Sequence, residues 1–465
     1  MSGANTRGAM SMRGDLATGG GVAQSESDTN LTDRRRAWQQ HALDQKSRAL
    51  LDRDAASFVH QSVSSPCLNA IAKAEGIWIE DVAGRRYMDF HGNNVHHIGY
   101  GHPRLKAALK AQMDDLPFTP RRYTSEPAVA LAERLVASSP HRAAKVLFAP
   151  SGSDAVEIAL KLARLKTGRY KTLGFWDSYH GHGYGAVSAA GTGTDRTHRI
   201  GPLLPGGLLV PPFDSDVTSE APTPEARATL CARMLRYTLA REGDVAAVIA
   251  EPVLSSPALP PPGFWPEVRS ACAAHGAQLI FDEIPTGLGK TGRLFAAEHA
   301  GVSSDITVLG KALGGGMLPL AAVIADRSFD LAPELALGHY THEKNPLTTR
   351  AGLTTLEIIE EEGLVEHARD LGAWSLARLH DMRSRLPLLG GVSGAGLLIG
   401  VDLVDGDGRP AVQLAERAMW CALSLGLSLK ATEGRLILSP PLVISEAEMS
   451  SALEILERAI RAVAP

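Results

Sequence analysis

The order of short apolar runs constrains the fold of this chain more than any other feature of its sequence. Six runs of five or six residues alternate with segments of helical periodicity: KVLFA (145–149), KTLGF (171–175), AAVIAE (246–251), QLIFD (278–282), DITVL (305–309) and LAAVI (320–324). Strands that are apolar throughout lie in sheets covered on both faces, and helices between them favour parallel connections. The pattern therefore predicts an α/β fold with a mostly parallel sheet.

The segments outside this alternation predict a second, smaller α+β unit. Its predicted strands are GLLIGVDL and RLILSPPL near the C-terminus, together with short strand-like runs between Ile77 and Asp89. We expect four parts: a flexible tail, an N-terminal segment that contributes to the small domain, the large α/β domain, and the C-terminal small domain. Their predicted ranges are 1–30, 31–100, 101–340 and 341–465.

Composition excludes several classes of protein. The 465 residues include 44% hydrophobic and 21% charged residues, which is typical of globular domains. A net charge of -4 offers no basic face to nucleic acid, and no run of about eighteen apolar residues predicts a membrane span. The four cysteines are widely spaced without a CxxC pair, so we predict neither disulfides nor a metal site. A cytoplasmic location is the expectation.

The first of three unusual strand ends is the segment APSGSDAVEIALKLAR, which follows KVLFA. Here Ser151, Gly152 and Ser153 begin a predicted helix, and the N–H groups at a helix N-terminus can bind a phosphate. The alternative is an ordinary helix start, with Ser151 and Asp154 in a capping box. These residues alone leave both interpretations open.

Two neighbouring strand ends carry a carboxylate and an amine. Asp282 ends QLIFD, where a buried carboxylate is costly unless it is paired, although it could also cap the next helix. Lys311 follows DITVLG and precedes ALGGG, and such a lysine can contact phosphate, stay solvated or form a Schiff base. A P-loop is excluded because Ile284 stands where its first glycine would be, and His342-Glu343 lacks the second histidine of a zincin.

An anion site, a carboxylate and an amine at adjacent strand ends are together what pyridoxal phosphate requires. The stretch FDEIPTGLGKTGRLFAAEHAGVSSDITVLGKALGGGMLPLAAVIA resembles the signature of the class III aminotransferases, which are fold-type I pyridoxal-phosphate enzymes. The resemblance begins near Gly76 and continues to the C-terminus. It implies that Lys311 forms the Schiff base and later moves protons, and that Asp282 pairs with the pyridinium N–H. It also implies that Ile284 and Tyr179 pack on opposite faces of the ring.

The same resemblance implies the remainder of the cofactor site. The further residues expected around the cofactor and its phosphate are Ser151, Gly152, Ser153, His180 and Glu251. Thr341 matches the family threonine that reaches the phosphate bound by the neighbouring subunit. The resemblance therefore implies a homodimer in which Thr341 is contributed across the interface.

Three positions depart from the family pattern for amino-acid transamination. His182 corresponds to the arginine that binds an α-carboxylate in many members. Ser256 and Ile437 correspond to the glutamate and the arginine of a gate that admits the second substrate. We therefore expect that an α-carboxylate is not the handle by which the substrate is held.

Positive charge instead occurs at two other places. Arg121 and Arg122 precede the pocket aromatic Tyr123, and Glu343 and Lys344 replace two family glycines in GHYTHEKNP. Two arginines and a lysine suit a phosphonate or phosphate dianion, and the glutamate could hold the lysine or an ammonium in place. The alternatives are a solvated arginine pair and an interface ion pair without a catalytic role.

The combination of FHGNNVHHIGYGHP, RRYTSEP, FDEIP and GHYTHEKNP resembles the ammonia-lyases of this family that act on (R)-1-hydroxy-2-aminoethylphosphonate. It implies a β-elimination that yields phosphonoacetaldehyde and ammonia. The alternative is transamination of an ω-amine or amino acid with an oxo-acid acceptor, for which Arg435 or Arg121 could bind the carboxylate. A pyridoxal-phosphate-binding regulator is disfavoured because the sequence contains no evident DNA-binding helix-turn-helix.

Overall fold

The structure, a computed structural model, describes residues 31–62, 64–141, 144–192, 200–215, 221 and 223–464. The predicted tail, residues 1–30, lies outside the described residues. In the part of the chain that is described, no helix is both long and apolar enough to cross a membrane.

In the described residues before the main sheet, the N-terminal region contains four α-helices and a small antiparallel sheet. Its elements are α1 Asp33–Ala42, α2 Gln45–Ser57, β1 Ile71–Glu75, β2 Trp78–Asp81, β3 Arg86–Asp89, α3 Pro103–Asp115, α4 Glu126–Ser138 and β4 Ala144–Ala149. The carboxylate of Asp44 accepts hydrogen bonds from the backbone N–H groups of Lys46 and Ser47, and so caps α2. The cap at Asp44, two residues after the end of α1, marks the start of α2.

The central region alternates strands and helices as predicted. Its elements are α5 Gly152–Thr167, β5 Lys171–Phe175, α6 Tyr184–Ala189, β6 Gly207–Val210, α7 Pro224–Glu242, β7 Val245–Ala250, α8 Phe264–His275, β8 Gln278–Asp282, β9 Ile306–Leu309 and β10 Ala321–Asp326. All six predicted strands occur, with ends within two residues of the predicted ones. Strand β6 was not predicted, because it is a short edge strand in which three of the four residues are only partly buried.

The main sheet has seven strands in the order β4-β10-β9-β8-β7-β5-β6. Neighbouring strands are parallel except at β10, which runs antiparallel to β4 and to β9. Helix α5 packs on one face through residues that include Ile158 and Leu162, and α7 and α8 pack on the other through Leu235 and Val268. The mostly parallel, doubly covered sheet is therefore confirmed.

The described part of the C-terminal region supplies four α-helices and the remaining strands. Its elements are α9 Pro346–Glu361, α10 Leu364–Arg385, β11 Leu389–Ala395, β12 Leu398–Leu403, α11 Val412–Ser424, β13 Leu427–Ser428, β14 Lys430–Thr432, β15 Arg435–Leu438 and α12 Glu446–Ala462. Strands β11, β12, β15 and β14 form one antiparallel sheet in that order. The two strands predicted in this region correspond to β12 and β15.

The two ends of the chain share a sheet. Strand β13 adds to the N-terminal strands in the order β1-β2-β3-β13, and it runs parallel to β3. In this pairing Met88 is opposite Leu427, and Asp89 is opposite Ser428. The predicted domain boundaries stay predictions, but this pairing brings residues near 90 and near 430 to the same place.

Candidate active site

The carboxyl ends of β4, β8 and β9 lie at one edge of the main sheet, because all three strands run in the same direction. Ser151, which follows β4, caps α5: its hydroxyl accepts a hydrogen bond from Asp154 N at 3.2 Å. The hydroxyl of Ser153 accepts from His182 N at 3.1 Å. The cap is therefore present, and it leaves the first turn of α5 facing the segment that follows β5.

Two glycines at strand ends lie close to one side chain, that of Ile284. A Cβ at Gly152 would lie 2.8 Å from Cδ1 of Ile284, and a Cβ at Gly310 would lie 3.3 Å from Cγ2 of the same residue. Such distances are closer than ordinary carbon contacts. Ile284 thus packs between the end of β4 and the end of β9, and this packing brings the predicted phosphate site next to Lys311.

Asp282 is buried at the end of β8 and has two hydrogen-bond donors. His180 donates from Nδ1 to Oδ2 at 2.8 Å, and the backbone N–H of Ile284 donates to Oδ1 at 3.1 Å. The Nε2 atom of His180 is buried without a hydrogen-bond partner in the described part of the chain. A buried carboxylate fixed in this way is suited to pair with a ring N–H of a bound cofactor.

Glu251 is a second buried carboxylate near Asp282. Its side chain accepts hydrogen bonds from Ser255 N at 2.5 Å and from Ser255 Oγ at 3.3 Å. Burial raises the pKa of Glu251, and the negative charge of Asp282 raises it further. Two carboxyl groups therefore lie beside the predicted cofactor, and the pKa of Glu251 is raised.

Lys311 begins the turn after β9 with a left-handed backbone, φ 44°. Such a conformation is strained for a residue with a side chain, and it is found most often at functional sites. Burial lowers the pKa of Lys311, whereas Glu251 and Asp282 raise it and Lys430 lowers it. A larger fraction of the amine is thus neutral, the form that attacks a carbonyl or accepts a proton.

These residues fit pyridoxal phosphate. The capped first turn of α5 can bind its phosphate, the buried Asp282 can pair with its ring nitrogen, and Lys311 can take its aldehyde. Ile284, which packs closely against Gly152 and Gly310, is an apolar side chain that can pack on one face of the ring.

The aromatic side of the site is formed by the segment after β5. Tyr179 is 45% exposed, and its ring meets that of His182 edge-on, with centroids 5.3 Å apart. Gly181 has φ 114°, and a Cβ there would lie 2.4 Å from Ser153 Oγ. Only glycine permits this approach, which holds Tyr179 and His182 over the start of α5.

The structure pairs Arg121 with Glu343. Nε of Arg121 lies 3.1 Å from Oε1 of Glu343, although the N–H is not directed for a hydrogen bond, so the contact is an ion pair. Lys344, Arg122 and the 61% exposed Tyr123 are at the surface of this chain. The sequence reasoning expected Glu343 to hold Lys344 or an ammonium, whereas the structure gives it an arginine.

Thr341 lies in an exposed turn that precedes α9. Its neighbour Tyr340 interacts with Asp154 in the first turn of α5, and a Cβ at Gly338 would meet Ile158 of that helix. Asn345 caps α9 by accepting from Leu347 N at 2.8 Å. The loop therefore leaves α5 of its own chain and presents Thr341 outward.

Ser256 and Ile437, the two positions that correspond to the family gate, have no glutamate or arginine side chain of their own. Ile437 is buried in β15. Arg435, two residues earlier, forms a bidentate ion pair with Asp402 and donates to the carbonyl oxygen of Ser256. Arg435 is thus already neutralised and ties the loop at Ser256 to the C-terminal sheet.

The sequence reasoning missed two side chains near Lys311. His91 and Lys430 each lie close enough to interact electrostatically with Lys311 and with one another. Each follows the end of its strand in the parallel pair of β3 and β13. The available signal was the polar run HGNN, in which Asn93 and Asn94 have left-handed backbones.

Comparison with known proteins gives a consistent result. The model of the Aminotransferase class-III family matches residues 59–460. An (R)-1-hydroxy-2-aminoethylphosphonate ammonia-lyase from Vibrio splendidus is 40% identical over 458 residues, with 95% of both chains covered. An alanine/serine racemase from Pyrococcus horikoshii is 36% identical, over 83% of this chain and 84% of the racemase.

A solved structure shares the fold. An amine transaminase from an uncultivated Pseudomonas species, in its PLP-bound form, superimposes with a TM-score of 0.81 and 31% sequence identity. The match covers 88% of this chain and 99% of the transaminase. Relatives of this chain thus include a lyase, a racemase and a transaminase.

Proposed function

Because this chain belongs to the class III aminotransferases and is a fold-type I enzyme that uses pyridoxal phosphate, we propose that it is an ammonia-lyase. The proposed reaction is a β-elimination that converts (R)-1-hydroxy-2-aminoethylphosphonate to phosphonoacetaldehyde and ammonia. The 40% identity to a lyase of that name, over 95% of both chains, supports this substrate.

Bound pyridoxal phosphate supplies an aldehyde that holds the substrate amine and a ring that takes up an electron pair. The residues that would hold it are those of the α5 cap, with Asp282 at the ring nitrogen and Ile284 and Tyr179 on the ring faces. His180 keeps the Asp282 carboxylate in one orientation through the 2.8 Å hydrogen bond.

Lys311 is the proposed base. Its amine removes the proton from the carbon that bears nitrogen, and its lowered pKa, which is due to burial, increases the neutral fraction available at neutral pH. The carboxylates of Glu251 and Asp282 then stabilise the ammonium that forms. The same amine can return a proton in a later step.

The substrate anion is assigned to the cationic side of the site. Arg121, Arg122 and Lys344 are the proposed phosphonate ligands, with Tyr123 and His182 beside them. Guanidinium groups bind oxyanions through two parallel N–H groups, which suits a phosphonate. In this proposal Glu343 holds Arg121 in position until the phosphonate contacts it.

The observation that carries the choice of elimination over transamination is the state of Arg435. A transaminase must bind the carboxylate of an oxo acid, and the two gate positions are Ser256 and Ile437. Arg435, the nearest guanidinium in sequence, is already paired with Asp402. An elimination needs no amino acceptor, so it requires no such gate. The amine transaminase among the structural relatives makes transamination with an oxo acid the alternative.

We also propose a homodimer. Apolar side chains are exposed beside the Arg121 segment, among them Met113, Leu116 and Phe118. Such a patch next to a binding site marks an interaction surface. Thr341, in the adjacent exposed turn, would then reach the phosphate bound by the partner subunit.

The test is to incubate the holoenzyme with (R)-1-hydroxy-2-aminoethylphosphonate in the absence of any oxo acid and to measure ammonia and phosphonoacetaldehyde. We expect both products in equal amounts over many turnovers. A single turnover per site that continues only after pyruvate is added would establish the transaminase alternative.

A further inference from the structure

His91 and Lys430 come from opposite ends of the chain and are brought together by the parallel pairing of β3 with β13. Asp89 is opposite Ser428 in this pair, and His91 and Lys430 each follow two residues later. Phe90 between them donates its N–H to Ser428 O at 2.8 Å, so the two segments stay together beyond the paired residues. The register therefore places the imidazole and the ammonium side by side.

The backbone holds His91 in a fixed position. The Asp89 carboxylate accepts hydrogen bonds from His91 N at 3.0 Å and from Gly92 N at 3.1 Å. The next residues, Gly92, Asn93 and Asn94, all have left-handed backbones, with φ between 43° and 57°. The Asn94 side chain accepts from the Ser439 hydroxyl at 2.5 Å, which fixes this turn to the segment after β15. Strain that is maintained by such contacts is typical of functional sites.

Charged groups around His91 shift the pKa of its imidazole. Burial lowers the pKa of His91, the Asp89 carboxylate raises it, and the cations Lys430 and Lys311 lower it. The buried His96 also interacts with it. An imidazole with a lowered pKa therefore lies within electrostatic reach of the Lys311 amine, the proposed base.

A bound dianion would raise the pKa of His91. A phosphonate beside Lys430 would neutralise its charge and add negative charge of its own, and both effects favour the imidazolium form of His91. Binding of the substrate would thus favour protonation of His91.

We propose that His91 is a catalytic acid that protonates the hydroxide leaving from the phosphonate-bearing carbon, while Lys430 is a further ligand of the phosphonate beside Arg121, Arg122 and Lys344. This inference rests on the proposed β-elimination, because a transamination has no leaving hydroxide. The class of ligand recognised is a 1-hydroxyalkylphosphonate with an amine on the neighbouring carbon.

The C–H bond of the amine-bearing carbon breaks, and Lys311 takes the proton. The C–O bond of the phosphonate-bearing carbon breaks, and the hydroxide takes a proton from His91 and leaves as water. The released enamine takes up one water and gives phosphonoacetaldehyde and ammonia. Lys311 has then gained a proton and His91 has lost one, so exchange between them through the site restores the enzyme.

The first experiment compares two leaving groups. Fluoride is a far weaker base than hydroxide and departs without a proton, so 1-fluoro-2-aminoethylphosphonate should not need the acid. We expect His91→Gln to lower kcat for the hydroxy substrate by about 10²- to 10⁴-fold, the usual contribution of a general acid, and to change kcat for the fluoro substrate by less than about 10-fold. His380→Gln, at an exposed position of α10, is the control and should leave both rates unchanged.

Equal losses of kcat for both substrates in the His91→Gln enzyme would overturn the proposal. If the wild-type enzyme released ammonia from neither substrate without an oxo acid, the proposed function itself would fail, and this inference with it. The two failures are distinguishable because the first is seen only in the variant.

The second experiment does not depend on turnover. The pKa of His91 is measured by NMR of the histidine-labelled holoenzyme, with the signal assigned by its loss in His91→Gln. Saturation with 1-hydroxyethylphosphonate, which has no amine and cannot react, should raise this pKa by about 1 or more. The same ligand should raise this pKa less in Lys430→Gln, because the variant has no lysine charge there for the phosphonate to neutralise. An unchanged pKa in the wild-type enzyme, with the ligand shown to be bound by ³¹P NMR, would refute the assignment.

Discussion

At the residue scale, the cofactor site depends on the contact between Gly152 and Ile284, which the sequence did not predict. Gly152 follows the helix cap Ser151, and Ile284 lies two residues beyond Asp282. The contact between them keeps the predicted phosphate site and the predicted ring site at a fixed separation. A change of a single methyl group here should therefore affect both stability and cofactor binding.

We expect Gly152→Ala to lower the free energy of unfolding by about 1–3 kcal/mol, because the added Cβ would lie 2.8 Å from Ile284 Cδ1. Ile284→Val removes that Cδ1, and the next closest atom, Cγ2, is at an ordinary 3.4 Å. In the Ile284→Val background, Gly152→Ala should lower the free energy of unfolding by less than half as much. Denaturant unfolding of the four proteins measures this, and a cost that is the same in both backgrounds would rule out the contact as its cause.

Arg121 carries the second prediction at this scale. Because Arg121 is a proposed ligand of the phosphonate, Arg121→Gln should weaken binding of 1-hydroxyethylphosphonate by about 10- to 100-fold, the loss expected for a charged hydrogen bond. Arg236→Gln is the matched control, since Arg236 is also paired with a glutamate, Glu267, but on the outer helix α7. Isothermal titration calorimetry gives both affinities. Equal affinities of the two variants would remove Arg121 from the substrate site.

At the scale of elements, a buried lysine connects two segments that are far apart in the sequence. Lys290 lies in the turn after β8, is fully buried, and donates to the carbonyl oxygen of Pro440 at 2.6 Å. It therefore connects the main sheet to the segment after β15. Lys290 lies in GLGKTG (287–292), a segment that in the sequence served only to exclude a P-loop. Nothing in that segment predicted the contact with Pro440.

Lys290 makes stability depend on pH in a definite direction. Burial lowers its pKa from 10.5 to about 7, so between those values the unfolded chain binds more protons than the folded one. The contribution of Lys290 to stability then rises with pH from about 7 towards 10. We expect Lys290→Met to reduce the rise of stability over this range, whereas Lys145→Met, at an exposed lysine paired with Asp330, should preserve it. Denaturant unfolding at pH 7, 8 and 9 is the measurement, and parallel pH profiles for Lys290→Met and the wild type would contradict the prediction.

At the scale of the whole molecule, the proposed homodimer can be tested by complementation. If Thr341 acts on the partner's cofactor, a hybrid of a Lys311→Ala chain and a Thr341→Ala chain contains one intact site. After random reassociation of equal amounts, half of the dimers are hybrids, so we expect recovery to about one quarter of wild-type activity. Activity no greater than the average of the two unmixed variants would show that Thr341 serves its own chain, provided that subunit exchange is verified by mass spectrometry.

The sequence by itself determined the features that depend on a few consecutive residues. Apolar runs bounded by Gly and polar residues predicted six strands of the main sheet, and small polar residues after KVLFA predicted the cap of α5. These hold because backbone conformation and capping are set by neighbours within one or two turns. The short edge strand Gly207–Val210 escaped prediction because its four residues, three of them only partly buried, carry too little of this local signal.

Only the tertiary structure decided which distant residues meet. Arg121 is paired with Glu343, and His91 lies beside Lys430, because loops and strands from remote parts of the chain are brought together by sheet order and register. Register is a property of two strands and of the core between them, so no single segment of sequence contains it. The chemistry of each side chain could be read from the sequence, but the partner that each one faces was settled by the packing of the whole chain.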